Sequence, residues 1–228
     1  MRKLGMLAAA SIAAMATPAW ADIDIGTVQG LGQGQTVQLQ ASQSGTSVIG
    51  FTNQTGTEIL FSSGLCDGCP TQTLATPSNG QALIFGATEL INNLTVDIND
   101  PFYNYFTYAE FNLHYQGGGA DGGTATSVLL TGIDSLGNDW TETFDVGKGE
   151  NFFTFNAING QLIETISFFT TDGGVTDFRQ LRIDGIQSAQ NNPVPEPATW
   201  AMMLMGFGAT GVAMRRSRRR KGLLTQIA

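Results

Sequence analysis

Between residues 22 and 187, apolar and polar side chains alternate with a period of two, the spacing of half-buried β-strands. Residues 35–41 place Val37, Leu39 and Ala41 on one face. Residues 47–52 put Ile49 and Phe51 together, and residues 53–56 turn the chain into a strand at 57–62. Residues 81–86 are a short apolar run suited to a central strand, and Leu94, Val96 and Ile98 share the next apolar face. Asp100-Pro101 ends that strand, because proline cannot donate to a ladder.

Residues 102–116 are dense in aromatics, with Phe111, Leu113 and Tyr115 facing one way and Glu110, Asn112 and His114 the other. Residues 117–123 read as a glycine-rich loop. Residues 124–131 and 139–146 are expected to form a hairpin across residues 134–138, with Trp140, Phe144 and Val146 inward. Residues 151–158 and 161–170 are expected to form another, because Asn159-Gly160 suits a two-residue hairpin turn. Phe178 falls on one parity and Leu181 and Ile183 on the other, which predicts a bulge near Arg179-Gln180. Nine or ten short strands with no helix between them predict an all-β fold, an antiparallel β-sandwich of jelly-roll type, over residues 22–187. Residues 188–194 read as a polar linker ending in prolines.

Neither end of the chain follows this period. Arg2 and Lys3, an apolar stretch over residues 4–16 and the small-residue site Ala19-Trp20-Ala21 read as a signal peptide over residues 1–21, cleaved after Ala21. At the other end, Pro195-Glu196-Pro197 precedes seventeen uncharged residues, 198–214, and then Arg215, Arg216, Arg218, Arg219, Arg220 and Lys221. As a helix, residues 198–214 would measure roughly 25 Å, slightly under the ~30 Å hydrocarbon core. Long basic side chains can reach the headgroups and make up that difference. The positive-inside rule keeps residues 215–228 in the cytoplasm and leaves residue 197 outside.

Pro195-Glu196-Pro197, the apolar stretch 198–214 and the basic cluster 215–221, in that order and spacing, resemble the PEP-CTERM sorting signal of Gram-negative bacteria. The resemblance covers residues 195–221 and implies an exosortase-type membrane protease as partner, with membrane lipid around the segment before processing. It further implies export across the inner membrane, a final place at the cell surface or outside it, and association with exopolysaccharide or biofilm matrix. The tail 222–228 departs from the pattern, whose members usually stop soon after the arginines. An ordinary single-span anchor with a coincidental Pro-Glu-Pro is the alternative.

Charge changes what the domain between these ends can bind. Residues 22–194 hold Lys148, Arg179 and Arg182 against eighteen Asp and Glu, a net charge of −15. The whole-chain value of −8 conceals this, because eight of the eleven basic residues lie in the two ends. Such a domain has no basic footprint for phosphates, which excludes nucleic acid as a partner. It is repelled by anionic lipid and acidic polysaccharide unless a cation bridges them, leaving neutral sugars, divalent ions and cationic partners.

Candidate chemistry is sparse, and the domain is expected not to be an enzyme. His114 is the only histidine, sits mid-strand, and no G-x-S-x-G elbow accompanies it. Cys66 and Cys69 form a C-x-x-C in a Ser/Gly/Pro-rich loop, and export favours a local disulfide over redox work. No catalytic or metal-binding set is assigned. Asp134, Asn138 and Asp139 in one turn, and Asp97, Asn99 and Asp100 at a strand end, carry oxygen ligands suited to structural calcium. Neither stretch matches an EF-hand loop, and solvated turn residues are the ordinary reading. Tyr103, Tyr105, Tyr108 and Trp140 are aromatic candidates for stacking on sugars, although strand aromatics more often belong to a core. These readings together point to a non-catalytic exported surface or matrix protein, with a carbohydrate-binding module, and then a hydrolase, as alternatives.

Overall fold

The computed structural model describes residues 23–27, 32–65, 68–116, 124–188, 205 and 207. The expected signal peptide with Ala19 and Ala21, the motif 195–197 and the basic cluster 215–221 lie outside them, as do Cys66 and residues 117–123. Of residues 198–214, Met205 and Phe207 are described, both helical and exposed. Among the described residues, no helix is long and apolar enough to cross a membrane.

The described domain is all-β, as its period of two predicts, with fifteen strands. They are β1 (Ile23–Gly26), β2 (Gln35–Leu39), β3 (Ser44–Gly45), β4 (Ser47–Thr52), β5 (Glu58–Ser62), β6 (Leu74–Ala75), β7 (Gly80–Gln81) and β8 (Leu83–Gly86). After these come β9 (Asn93–Ile98), β10 (Tyr108–Tyr115), β11 (Ser127–Asp134), β12 (Asp139–Asp145), β13 (Gly149–Ala157), β14 (Ile163–Phe169) and β15 (Asp177–Asp184). Among the described residues every strand pairing is antiparallel, and the main path runs β1-β13-β10-β15-β2-β4-β5-β9-β14-β11-β12.

β2 is the corner. Its Gln35 and Thr36 pair with Ile183 and Arg182 of β15, while Val37 and Gln38 pair with Thr52 and Phe51 of β4. The path therefore folds back on itself as two sheets over one core, a barrel-like sandwich. Ala82 stitches the same side, its N–H donating to Val37 O at 2.8 Å and its carbonyl accepting from Gln180 N at 2.9 Å. At the other side, rings of β12 meet rings of β13: Trp140–Phe155 centroids are 5.4 Å apart and Phe144–Phe153 5.5 Å.

Phe178 of β15 sits at the centre, with Phe111 of β10 at 4.9 Å, Phe61 of β5 at 5.8 Å and Phe168 of β14 at 6.4 Å. All four rings are buried, so the two sheets are joined by aromatic contact as well as by burial of apolar area.

Several expectations hold and several are corrected. β11 and β12 pair from Ser127↔Asp145 to Ile133↔Asp139, so the first hairpin is present. The bulge is present too: Gln180 has φ 61°, and the β10–β15 register shifts between Glu110 and Asn112. The extra residue turns both Phe178 and Leu181 inward, which explains the change of parity.

The second hairpin is absent. Asn159 and Gly160 do make a tight turn, with φ 54° and 78° and Gln161 N donating to Ile158 O at 3.1 Å. Yet β13 pairs with β1 and β10, whereas β14 pairs with β9 and β11. Residues 106–107 separate the two strands: Phe106 bridges to Ile163, and Thr107 O accepts Ala157 N at 2.8 Å. The turn joins two sheets.

β2 stops at Leu39, leaving Ala41 exposed and off the apolar face. In β4 the buried face is Val48, Gly50 and Thr52, with Ile49 and Phe51 half-buried on the outside. A Cβ at Gly50 would stand 2.9 Å from Val37 Cγ1, so this face packs too closely for a larger residue. Tyr103 and Tyr105 precede the strand they were expected to join, because β10 begins at Tyr108. The apolar run 81–86 is split into β7 and β8, and β8 has neighbours on both sides, β15 and β6.

Candidate functional site

A cleft of about 930 Å³ opens at the end of the sandwich where β15 begins. Residues 85–90, 169–171 and 173–174, with Asn92, Thr176, Asp177 and Arg179, supply most of its wall, together with Pro70 and Gln72 from the segment after the cysteine loop. The loops are held by backbone contacts. Ile91 and Val175 exchange hydrogen bonds at 3.0 and 2.8 Å, and Thr124 N donates to Gly174 O at 2.9 Å. Gly173 has φ +136° and passes so close to Thr124 that a Cβ there would lie 1.9 Å from its hydroxyl oxygen. Glycine is required by both the conformation and the space.

The polar centre of the wall is on β15. Asp177 and Arg179 stand on the same outer face, and the guanidinium turns back to grip both carboxylate oxygens through Nε and Nη2. Asp177 is 6 % exposed. Its hydrogen bonds raise the Arg179 pKa above the ordinary arginine value; burial opposes this, and the charges of Asp177 and Glu150 add to it.

Register lines up a row across four strands: Glu150 on β13, His114 on β10, Asp177 on β15 and Phe85 on β8. His114 Nδ1 lies 3.3 Å from Asp177 Oδ2, within ion-pair reach of a protonated imidazole. The approach is not aligned as a hydrogen bond, so Nδ1 is buried without a hydrogen-bond partner. Phe85, 37 % exposed, offers an aromatic face to the cleft.

His114 is therefore a polar-face residue held against Asp177, and among the described residues no serine lines the cleft as a nucleophile. Thr176 Oγ1 already accepts from Gln116 N at 3.0 Å. Among the described residues, Glu89 and Asp177 are the carboxylates of the wall, and Asp177 is engaged by Arg179 on both oxygens. The arrangement can present donors, acceptors and an aromatic face to a small polar ligand.

The calcium candidates do not converge. Asp134 is buried, and its Oδ1 accepts from Leu136 N and Asn138 N, both at 2.9 Å, closing the β11–β12 turn. Asp100 Oδ1 accepts from Phe102 N at 2.8 Å, a cap of its own loop. Burial, and after it the charge of Glu164, pushes the Asp97 pKa up, against a lowering hydrogen bond from Ile98. Among the described residues, no three His, Cys, Asp or Glu side chains are grouped to hold a metal.

The aromatic candidates divide. Trp140 packs against the core, and the Tyr108 hydroxyl donates to Glu110 Oε2 at 3.1 Å. Burial, then the charge of Glu110, pushes the Tyr108 phenol up to about 12. Tyr103 is 40 % exposed, but at the opposite end of the molecule from the cleft. Cys69 is disulfide-bonded. Sequence reasoning missed the Asp177–Arg179 pair. The available signal was an arginine placed at the bulge of a domain that has only three basic residues.

Comparison with known proteins adds one decisive match. The family model of the PEP-CTERM protein-sorting motif fits residues 193–220. The chain carries a PEP-CTERM sorting signal. The PEP-CTERM match spans the prolines, the apolar stretch and the arginines that the sequence sets in order, and it marks an exported protein, anchored for sorting through the exosortase system. No curated protein matches the chain. Among solved structures, two mutants of CBM29-2, a family 29 carbohydrate-binding module, are similar at 12% identity. The matches cover 77% of this chain and 99% and 98% of theirs, with TM-scores of 0.25 and 0.24, too low to carry an argument.

Proposed function

We propose that this chain is a non-catalytic surface or matrix protein, exported behind its N-terminal signal peptide and processed at its C-terminal PEP-CTERM signal. The observation that carries this reading is the PEP-CTERM match at residues 193–220. Residues 198–214 lodge in the inner membrane with Arg215 to Lys221 in the cytoplasm, an exosortase-type protease cuts near Pro195-Glu196-Pro197, and the β domain passes to the cell surface or beyond, among exopolysaccharide or biofilm matrix. Deleting residues 195–221 is expected to leave a folded domain that no longer follows the normal route. Cell fractionation checks this, together with mass spectrometry of the mature C-terminus in cells with and without the sorting protease. Full-length, unprocessed chain in the outer medium would overturn it.

A second reading concerns what the delivered domain binds, and the cleft favours a neutral sugar. The Asp177–Arg179 pair is neutral as a unit yet rich in donors and acceptors, and Phe85 supplies a face for a sugar ring. Acidic polysaccharide is disfavoured by the −15 charge of residues 22–194. On a glycan array, the chain is expected to retain neutral oligosaccharides, and Phe85→Ala is expected to weaken retention about tenfold, the equivalent of ~1.4 kcal/mol. Retention unchanged in Phe85→Ala, or none with or without calcium, removes the reading.

A further inference from the structure

Seven large hydrophobic side chains of the described β domain are exposed, and five of them sit at one end. These are Phe102 (73 % exposed), Tyr103 (40 %), Ile133 (37 %), Leu136 (56 %) and Ile158 (40 %). Backbone pairing brings their loops together. Phe106 bridges to Ile163, Ser135 N donates to Leu162 O at 2.9 Å, and the turn carrying Ile158 closes onto Gln161. Asp100 Oδ1 accepts from the N–H groups of Phe102 and Tyr103, which fixes their loop. The other two, Leu65 and Phe85, lie at the cleft end. Scattered apolar residues need no explanation, but a group at one pole does.

The same pole is where the chain leaves the domain. Gln187 O accepts from Asn104 N and Tyr105 N, both at 3.1 Å, immediately beside the exposed aromatics. From there, nine residues, 189–197, lead to the apolar stretch. Fully extended they span at most ~30 Å, so the pole cannot stand far from whatever holds residues 198–214. β15 runs from Asp177 at the cleft to Asp184 at this pole, eight residues and about 25 Å.

We propose that this apolar pole rests on the outer surface of the bilayer that holds residues 198–214, with the cleft pointing away from the membrane until the chain is cut. The proposal rests on the reading of that segment as a membrane anchor. A phenyl and a phenol flanked by three aliphatic side chains suit the boundary between headgroups and acyl chains. The acidic domain disfavours an anionic surface, so zwitterionic lipid is the appropriate partner.

The test uses the full chain in phosphatidylcholine nanodiscs, with and without bromine on the acyl chains as a contact quencher of tryptophan. Phe102→Trp and Leu136→Trp report the pole, Leu65→Trp reports the cleft end, and Trp200→Phe isolates the contribution of the apolar segment. Relative to the parent, the added emission at positions 102 and 136 is expected to be lost to an extent comparable with that of Trp200. At position 65 it is expected to persist. Quenching of Trp200 with none at 102 and 136 overturns the orientation while sparing the anchor. Absence of Trp200 quenching overturns the anchor and the orientation together. A shift in emission at 102 and 136 that grows with protein concentration and ignores bromine assigns the pole to a second copy of the chain, and also overturns the proposal.

Discussion

Replacing Phe178 with alanine is expected to lower the unfolding free energy by about 3–5 kcal/mol, the cost of emptying a buried aromatic site. The ring has no exposed surface and meets Phe111 from its own sheet and Phe61 and Phe168 from the opposite one. Aromatic pairs contribute ~0.5–1.5 kcal/mol beyond area burial, and this substitution removes three at once. Relaxation into the cavity is restricted, because the rings around it come from strands already paired on both sides. Domains of this size are typically stable by about 5–15 kcal/mol, so the variant would keep only a small margin. Urea denaturation checks the value, through a fall in midpoint at unchanged slope. Phe85→Ala, at a position 37 % exposed, is the control and should shift the midpoint far less. Equal shifts in the two variants would show that Phe178 is not the junction between the sheets.

What could be read from the chain beforehand divides along a physical line. Local pattern was enough where one segment decides the outcome. The β11–β12 hairpin follows from two alternating runs and a turn that Asp134 caps with its own carboxylate. The bulge at Gln180 follows from a break in parity that no straight strand can accommodate. The sorting signal is a linear motif, so order and spacing suffice to find it. Pairing between distant strands was not legible. Asn159-Gly160 makes the turn that its residues dictate, yet the choice of partner for β13 and β14 depends on Phe106, some fifty residues upstream. In β4 the outward Ile49 and Phe51 are the larger hydrophobes, and the closeness of Val37, the Gln38 carbonyl and Phe61 explains why Gly50 faces in. The cleft was invisible for the same reason. Its wall is assembled from strand ends and loops that are separated in the chain, and its polar centre depends on Arg179 turning back to Asp177.

Gly132 carries the second large effect, and it is one of space alone. The residue lies on β11 opposite Trp140 of β12, and the indole covers it. A Cβ at this position would stand 2.1 Å from Trp140 Cζ2 and 2.6 Å from Thr165 O. The first obstacle is a side chain and can move, whereas the second is backbone of the neighbouring β14 and cannot move without distorting the β11–β14 ladder. Gly132→Ala is therefore expected to cost about 1–3 kcal/mol, the usual penalty of overpacking, and Gly132→Val more. The displaced indole would also lose its 5.4 Å contact with Phe155, so Trp140 emission should shift to the red as the ring enters water. A double-mutant cycle separates the two obstacles. In a Trp140→Leu background, the alanine should cost less by the share that belongs to the indole, and the remainder belongs to Thr165 O. If Gly132→Ala instead leaves both stability and emission unchanged, the indole does not lie over β11, and the closure of the sandwich through the β12–β13 rings is wrong.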